Sequence, residues 1–328
     1  MHSLRCIFLT FILCFVVSHS LGAHHTGSSP SAQVVDFETI SSGSMINSPT
    51  ASTLGEHRVY GGFAFEYVRY NSIPAANAHQ LHHQGRDVHG KNHEQSYDFN
   101  LGYGVLEDLD LYLSAPIVSK NSIEIHDHAN LGKKERATGF GDMRLSGHYR
   151  FWKKYVEAAV LAGIKFPTGL TTAKRKSGDK FAPELQPGTG SWDGQFGIAV
   201  SRSFKKRFSA ATSFEYLLNG EGAQNQKAGD AFRYNVAGSY AIRDLGTTPN
   251  LSVILELNNE WASKDHSREE DRVFDSGGTT IFLAPGVSVQ LTRHISIFCS
   301  SPIPIYQNLG GEHEEKKFEL IVGSSFSF

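Results

Sequence analysis

The sequence predicts an all-β fold: a single antiparallel transmembrane β-barrel of about twelve strands, with short periplasmic turns and long extracellular loops. Three observations predict it. Apolar residues alternate with polar or small ones through segments of about 10 to 15 residues, longer than the ~5 to 6 of ordinary globular strands. The connections between these segments are short and long by turns. The last segment, Lys317 to Phe328, places Phe318, Leu320, Val322, Phe326 and Phe328 on one parity and Glu319, Gly323, Ser325 and Ser327 on the other. Such a strand suits a wall with hydrocarbon outside and water inside.

Composition agrees. The 328 residues include 32 Gly, 22 Phe and 12 Tyr but 3 Met, a usage that fits strands and turns better than helices. With 31 basic and 33 acidic side chains the formal charge is −2, so the chain has no basic excess for nucleic acid. Cys6 and Cys14 fall in the first 23 residues, which leaves Cys299 without a partner and excludes a disulfide scaffold.

Residues 1–23 read as a cleaved export signal. Arg5 precedes an apolar run from Cys6 to Val17, followed by polar Ser18 to Ser20 and small Gly22 and Ala23, where the cut is expected. The run is too short for a membrane helix, which needs about 20 residues, and no later stretch approaches that length. Residues 24–54 are rich in Ser, Thr, Gly and Pro and lack periodicity. They read as a flexible periplasmic segment, with a partial plug of the lumen as the alternative. Residues 55–328 form the expected barrel.

The first strand lies near Val59, Phe63, Phe65 and Tyr67. The second sets Tyr97, Phe99, Leu101, Tyr103 and Val105 against Asp98, Asn100, Gly102 and Gly104, and the third sets Leu109, Leu111, Leu113, Ala115 and Ile117 against Asp110, Tyr112 and Ser114. The fourth carries Met143, Leu145, Tyr149 and Phe151 opposite Arg144, Ser146, His148 and Arg150, and the fifth carries Val160, Ala162, Ile164 and Phe166. Phe196, Ile198 and Val200 mark the sixth, and Phe208, Ala210, Phe214 and Tyr216 the seventh. Then come Phe232, Tyr234, Val236 and Tyr240; Leu251, Val253, Leu255 and Leu257; and Ile281, Leu283, Val287, Val289 and Leu291. Helical spacing would scatter each of these sets within two turns. The terminal Phe328 resembles the signal that bacterial outer-membrane barrels present to their assembly machinery.

Glu107-Asp108, Lys153-Lys154, Lys205-Lys206 and Arg293-His294 leave room only for tight turns, and Arg243 to Asn250 is a slightly longer one. Between them lie long polar connections at 72–94, 120–141, 168–191, 219–231, 263–278 and 307–315. A soluble β-sandwich also alternates. Against it stand the segment length and the Tyr and Phe near segment ends, where membrane interfaces collect aromatics.

By parity the lumen receives Glu66, Asp98, Arg144, His148, Arg150, Lys165, Glu215, Arg233, Glu256 and Glu319. Both signs are present, so no strong preference for anions or cations follows from the sequence. A narrow conduit is favoured over a closed barrel, because lumen width grows with strand number. The first long loop contains His79, His82, His83, His89 and His93, and the second His126 and His128. Imidazoles on mobile loops can gather around zinc, copper or nickel, although the spacing matches no closed structural zinc pattern. No serine, histidine and acid set stands at the outer rim, so the expectation is a non-enzyme without cofactor.

Three stretches carry a family likeness: Gly139-Phe140-Gly141-Asp142 leading into Tyr149-Arg150-Phe151; Lys165-Phe166-Pro167-Thr168-Gly169; and Leu185-Gln186-Pro187-Gly188-Thr189-Gly190-Ser191-Trp192-Asp193. Together they resemble the outer-membrane channel family named after the meta-pathway of phenol degradation. The resemblance implies an outer-membrane barrel concerned with uptake of small compounds, with aromatic ones as a candidate class. The expected function is diffusion of small solutes through the bacterial outer membrane, with membrane lipid, the assembly machinery and the solutes as partners. The alternative is a non-conducting barrel whose histidine-rich loops bind divalent metal ions or a surface partner.

Overall fold

In the computed structural model the described residues are 45–71, 88–125, 133–204, 206–267, 276–310 and 315–328. The expected export signal and residues 24–44 of the expected flexible segment lie outside them. Fourteen strands follow in chain order: β1 Val59–Tyr70, β2 Val88–Leu106, β3 Leu109–Ile125, β4 Lys133–Phe140, β5 Arg144–Lys153, β6 Glu157–Lys165, β7 Asp193–Phe204, β8 Phe208–Leu218, β9 Ala231–Ala241, β10 Asn250–Ala262, β11 Gly278–Gln290, β12 Ile295–Ser300, β13 Ile303–Leu309 and β14 Lys316–Ser327. All pairings are antiparallel, and β1 pairs with β14 to close the cylinder. β4 with β5, and β12 with β13, each form one interrupted stave, so the wall has twelve. Closure leaves no strand edge to face hydrocarbon with unpaired amides.

Both interruptions have the same cause. Pro116 of β3 sits beside the gap between β4 and β5, and Pro285 of β11 beside the gap between β12 and β13. Proline has no N–H to give the ladder. Its carbonyl still accepts: Gly141 N–H donates to Pro116 O at 2.9 Å and Ser301 N–H to Pro285 O at 3.0 Å.

Alternation sorts the side chains as a membrane wall requires. In β10, Leu251, Val253, Leu255 and Leu257 are exposed, while Ser252, Ile254, Glu256 and Asn258 are buried. Phe99, Leu101, Phe196, Tyr240 and Ile297 likewise face outward on their strands. Large apolar groups outside and carboxylates inside invert the arrangement of a soluble protein. Among the described residues no helix is long and apolar enough to cross a membrane.

Two features differ from the sequence expectation. β2, β3 and β4 extend into the spans expected as loops at 72–94 and 120–141. Consecutive polar residues such as Ser119 to Ser122 and Lys133 to Arg136 hide a hairpin that rises beyond the apolar band, where neither face needs to be greasy. The second concerns residues 45–54, expected as the end of a flexible lead with a partial plug of the lumen as the alternative. They lie inside the cylinder, where Met45 and Ile46 pack with Tyr60, Tyr112, Ile254, Phe298 and Ile321. Their polar groups are also taken up: Ile46 N–H donates to Glu256 Oε1 at 2.7 Å, Ala51 N–H to Ser201 Oγ at 3.2 Å, Ser52 Oγ to Glu157 Oε2 at 3.2 Å and Leu54 N–H to Asp110 Oδ2 at 2.6 Å. These partners lie on β10, β7, β6 and β3, so the segment crosses the lumen.

Candidate solute pathway

Of the ten side chains expected to line the lumen, eight are buried and Arg144 and Lys165 half-buried; they fall at three levels, Arg144 at the middle one. At the periplasmic end Arg150 reaches Asp108 at 2.5 Å, Glu157 at 3.3 Å and the Glu107 carbonyl at 3.3 Å. It serves as a clasp between two turns rather than as a free pore charge. Glu256 receives the N–H groups of Ile46 and Asn47 and the hydroxyl of Ser48, the last at 2.5 Å. His148 packs against the Tyr112 ring, with centroids 5.0 Å apart.

At mid-height Glu66, Asp98 and Glu319 are buried on adjacent strands, and Lys316 pairs with Glu319 at 2.9 Å. Glu215 accepts a short hydrogen bond from Gln195. Nearer the outer end, Arg233 lies 3.5 Å from Glu260.

Towards the outer end the three motif stretches converge on Asp142. Its Oδ1 accepts the N–H of Gly169 at 2.8 Å, and its Oδ2 accepts the N–H and the hydroxyl of Thr189, each at 2.7 Å. Lys165 pairs with Asp193, lies 3.7 Å from Asp142 and donates to Thr189 Oγ1 at 2.7 Å. The two arms of the loop touch here backbone to backbone: a Cβ on Gly169 would stand 2.6 Å from the Gly188 Cα. Glycine at both positions permits that approach. The loop is thereby drawn over the barrel mouth, where Lys120 Nζ donates to the Glu184 carbonyl at 3.1 Å.

Two cavities of about 110 Å³ each result. The outer one is bounded by Lys91, Gln186, Arg233, Glu260 and Asp265 among others. The middle one reaches Glu66, Glu94, Asp98, Arg144 and Lys165. Lys120, Thr189, Leu217 and Asn219 border both, so the two are contiguous. A third cavity of about 270 Å³ opens at the periplasmic end between Thr50, Ser52, Tyr155, Glu157 and Ser201. Residues 45–54 lie between it and the upper two.

Parity alone missed several contributors. Glu94, Lys91 and Lys120 come from stretches too polar on both faces to show an alternation, whereas Lys316 shares the parity of outward Phe318 and is turned inward by the register shift opposite Tyr70. Met45 and Ile46 are one of two apolar pairs in the lead, beside Val34 and Val35, and nothing in the sequence sets them apart. Of the histidines, His79, His82, His83, His126 and His128 lie outside the described residues, and His89 is placed only as part of β2. His93 stacks on Tyr67 with centroids 5.5 Å apart, and its Nε2 lies 2.9 Å from Asn121 Nδ2. Among the described residues no three His, Cys, Asp or Glu side chains form a metal-holding group.

Comparison with known proteins agrees with this architecture. An outer membrane channel from Pseudomonas putida F1 superposes with a TM-score of 0.60 at 13% identity, covering 85% of this chain and 98% of that one. The CymD monoaromatic hydrocarbon channel gives a TM-score of 0.43 at 11% identity over 84% and 89% of the two chains. The Ralstonia pickettii toluene transporter TbuX gives 0.42 at 10% identity over 84% and 90%. No curated protein matches the sequence. The model of the family described as "Putative MetA-pathway of phenol degradation" matches residues 81–300, more than half of the chain, and this protein belongs to that family.

Proposed function

We propose that the protein is a channel of the bacterial outer membrane through which small solutes pass by diffusion. The observation that carries this reading is the pair of contiguous cavities inside a wall that is apolar outside and charged inside. The inward charged residues from Glu66 to Glu319, apart from Arg150 and Glu256, would set selectivity. Small aromatic compounds enter the reading through the description of the family. Passage requires residues 45–54 to shift, because they occupy the lumen below the two cavities. No residue in the pathway is assigned a catalytic role.

Planar-bilayer recording tests the proposal. Folded protein is expected to give discrete conductance steps, and a variant lacking residues 45–54 larger ones. If neither protein conducts while both show the heat-dependent gel mobility of a folded barrel, the channel reading fails and a closed barrel remains.

A further inference from the structure

Lumen charges of both signs acquire places once the strands are in register. β14, β1 and β2 are neighbours, and Val68 of β1 pairs with Glu319 on one side and Glu94 on the other, while Ala64 pairs with Asp98. Glu66 therefore stands diagonally between Glu94 and Asp98 on β2 and beside Glu319 on β14, all on the inward face. Their exposures are 1% for Glu66, 5% for Glu94, 1% for Asp98 and 0% for Glu319.

Among the described residues, Lys316 and Arg144 face these carboxylates. Lys316 pairs with Glu319 and also attracts Glu66, and Arg144 attracts Asp98, which accepts the Ser96 hydroxyl at 2.8 Å. Glu66 Oε1 is buried and has no hydrogen-bond partner among the described residues. Glu66, Glu94 and Asp98 all line the middle cavity. The other cations there are engaged elsewhere: Lys165 with Asp193 and Asp142, and Lys120 with the Glu184 carbonyl. Apolar Pro116, Val118 and Leu217 complete that part of the wall. Carboxylates withdrawn from water without matching charge are costly, and a cation among them offsets the cost.

Resting on the reading of the barrel as a solute channel, we propose that the middle cavity is a binding station for a small organic monocation, a protonated amine on an apolar body of about one ring. Glu66 and Glu94 receive the ammonium, and the apolar wall receives the body. The size follows from this cavity together with the adjoining outer one, about 110 Å³ each, since an apolar cavity of ~150 Å³ accommodates benzene.

Benzylammonium is the probe, with benzyl alcohol and benzoate as its neutral and anionic counterparts. Titration calorimetry on the full chain in detergent micelles compares the wild type with Glu94→Gln, Glu66→Gln and the double variant. The wild type is expected to bind benzylammonium at least about tenfold more tightly than benzyl alcohol, to show no binding of benzoate, and to lose the preference in the double variant. Equal affinities for the three probes, or a preference unchanged by both substitutions, overturns the station. Heat-dependent gel mobility confirms folding; where the double variant does not fold, Glu94→Gln, at the less buried of the two sites, is expected to reduce the preference at least about threefold. Calorimetry does not depend on passage, so binding without conductance refutes the channel and leaves the station standing. Conductance without cation preference refutes the station alone.

Discussion

At the scale of single residues, Asp142 and Glu256 do related work. Each is a carboxylate whose oxygens are taken up by backbone N–H groups and a hydroxyl of a passing segment. Hydrogen bonds to a charged acceptor contribute about 1.5–3 kcal/mol apiece. Asp142→Ala is expected to release the loop from 166 to 192 without unfolding the barrel. The measurement is limited trypsin digestion, with cleavage after Lys174, Arg175, Lys176 or Lys180 accelerating about tenfold or more if a net ~1.5 kcal/mol is lost. Glu256→Ala is expected to free residues 45–48, read as a rise in conductance over the wild type; an unchanged trace would mean that apolar packing of Met45 and Ile46 suffices. A third carboxylate, Asp244, lies in the turn between β9 and β10, where the Arg207 guanidinium hydrogen-bonds it at 2.9 Å and holds its carboxyl below the usual range. A lowered folded value means that the clasp is present above the ordinary carboxylate range near pH 4 and is lost as pH falls through the folded value. Amide exchange in residues 243–250 should therefore speed up only under strongly acidic conditions.

Among the elements, glycine and proline set where staves bend and close. Gly323 of β14 is paired with Phe298 of β12, and a Cβ there would lie 2.3 Å from the Phe298 ring and 2.5 Å from the Phe63 carbonyl. The ring covers the bare backbone at the seam where β14 joins β1. Gly323→Val is expected to cut the yield of folded barrel severely, scored by heat-dependent gel mobility. The same substitution at Gly61, whose added Cβ would meet nothing within 4 Å, should be tolerated. The two proline-marked interruptions leave β13 apart from β14, with the Gln307 side chain bridging to Lys316 through hydrogen bonds of 2.9 Å to its N–H and carbonyl. Side-chain amides replace the backbone ladder there, which makes that seam weaker than its neighbours.

As a whole molecule the barrel is a closed ring whose stability depends on the solvent at its outer face. Leu255 is 53% exposed at mid-strand of β10, flanked by Val253 and Leu257 on the same face. Leu255→Arg is expected to cost about 2–4 kcal/mol in a lipid bilayer and far less in a urea titration begun from short-chain micelles, which relax around the charge. Equal losses in both would argue against a bilayer at that face.

Much of this organisation was legible in the sequence because the membrane sorts every residue locally. Phe99 and Leu101 must meet lipid and Asp98 and Asn100 must not, so period-two alternation carries the strand, the face and the count of staves. The tall hairpin of β3 and β4 was not legible, because above the membrane nothing demands alternation. The convergence of Gly169, Thr189 and Lys165 on Asp142 and the grouping of Glu66 with Glu94, Asp98 and Glu319 were not legible either, and the passage of residues 45–54 through the lumen was legible only as an alternative. Each joins residues distant in the chain, through pairings that only closure of the ring decides. The sequence by itself determined which side of the wall each residue occupies, since that depends on the medium beside it. The tertiary structure alone decided which inward residues share a cavity, because strand register and loop docking bring distant charges within reach of one another.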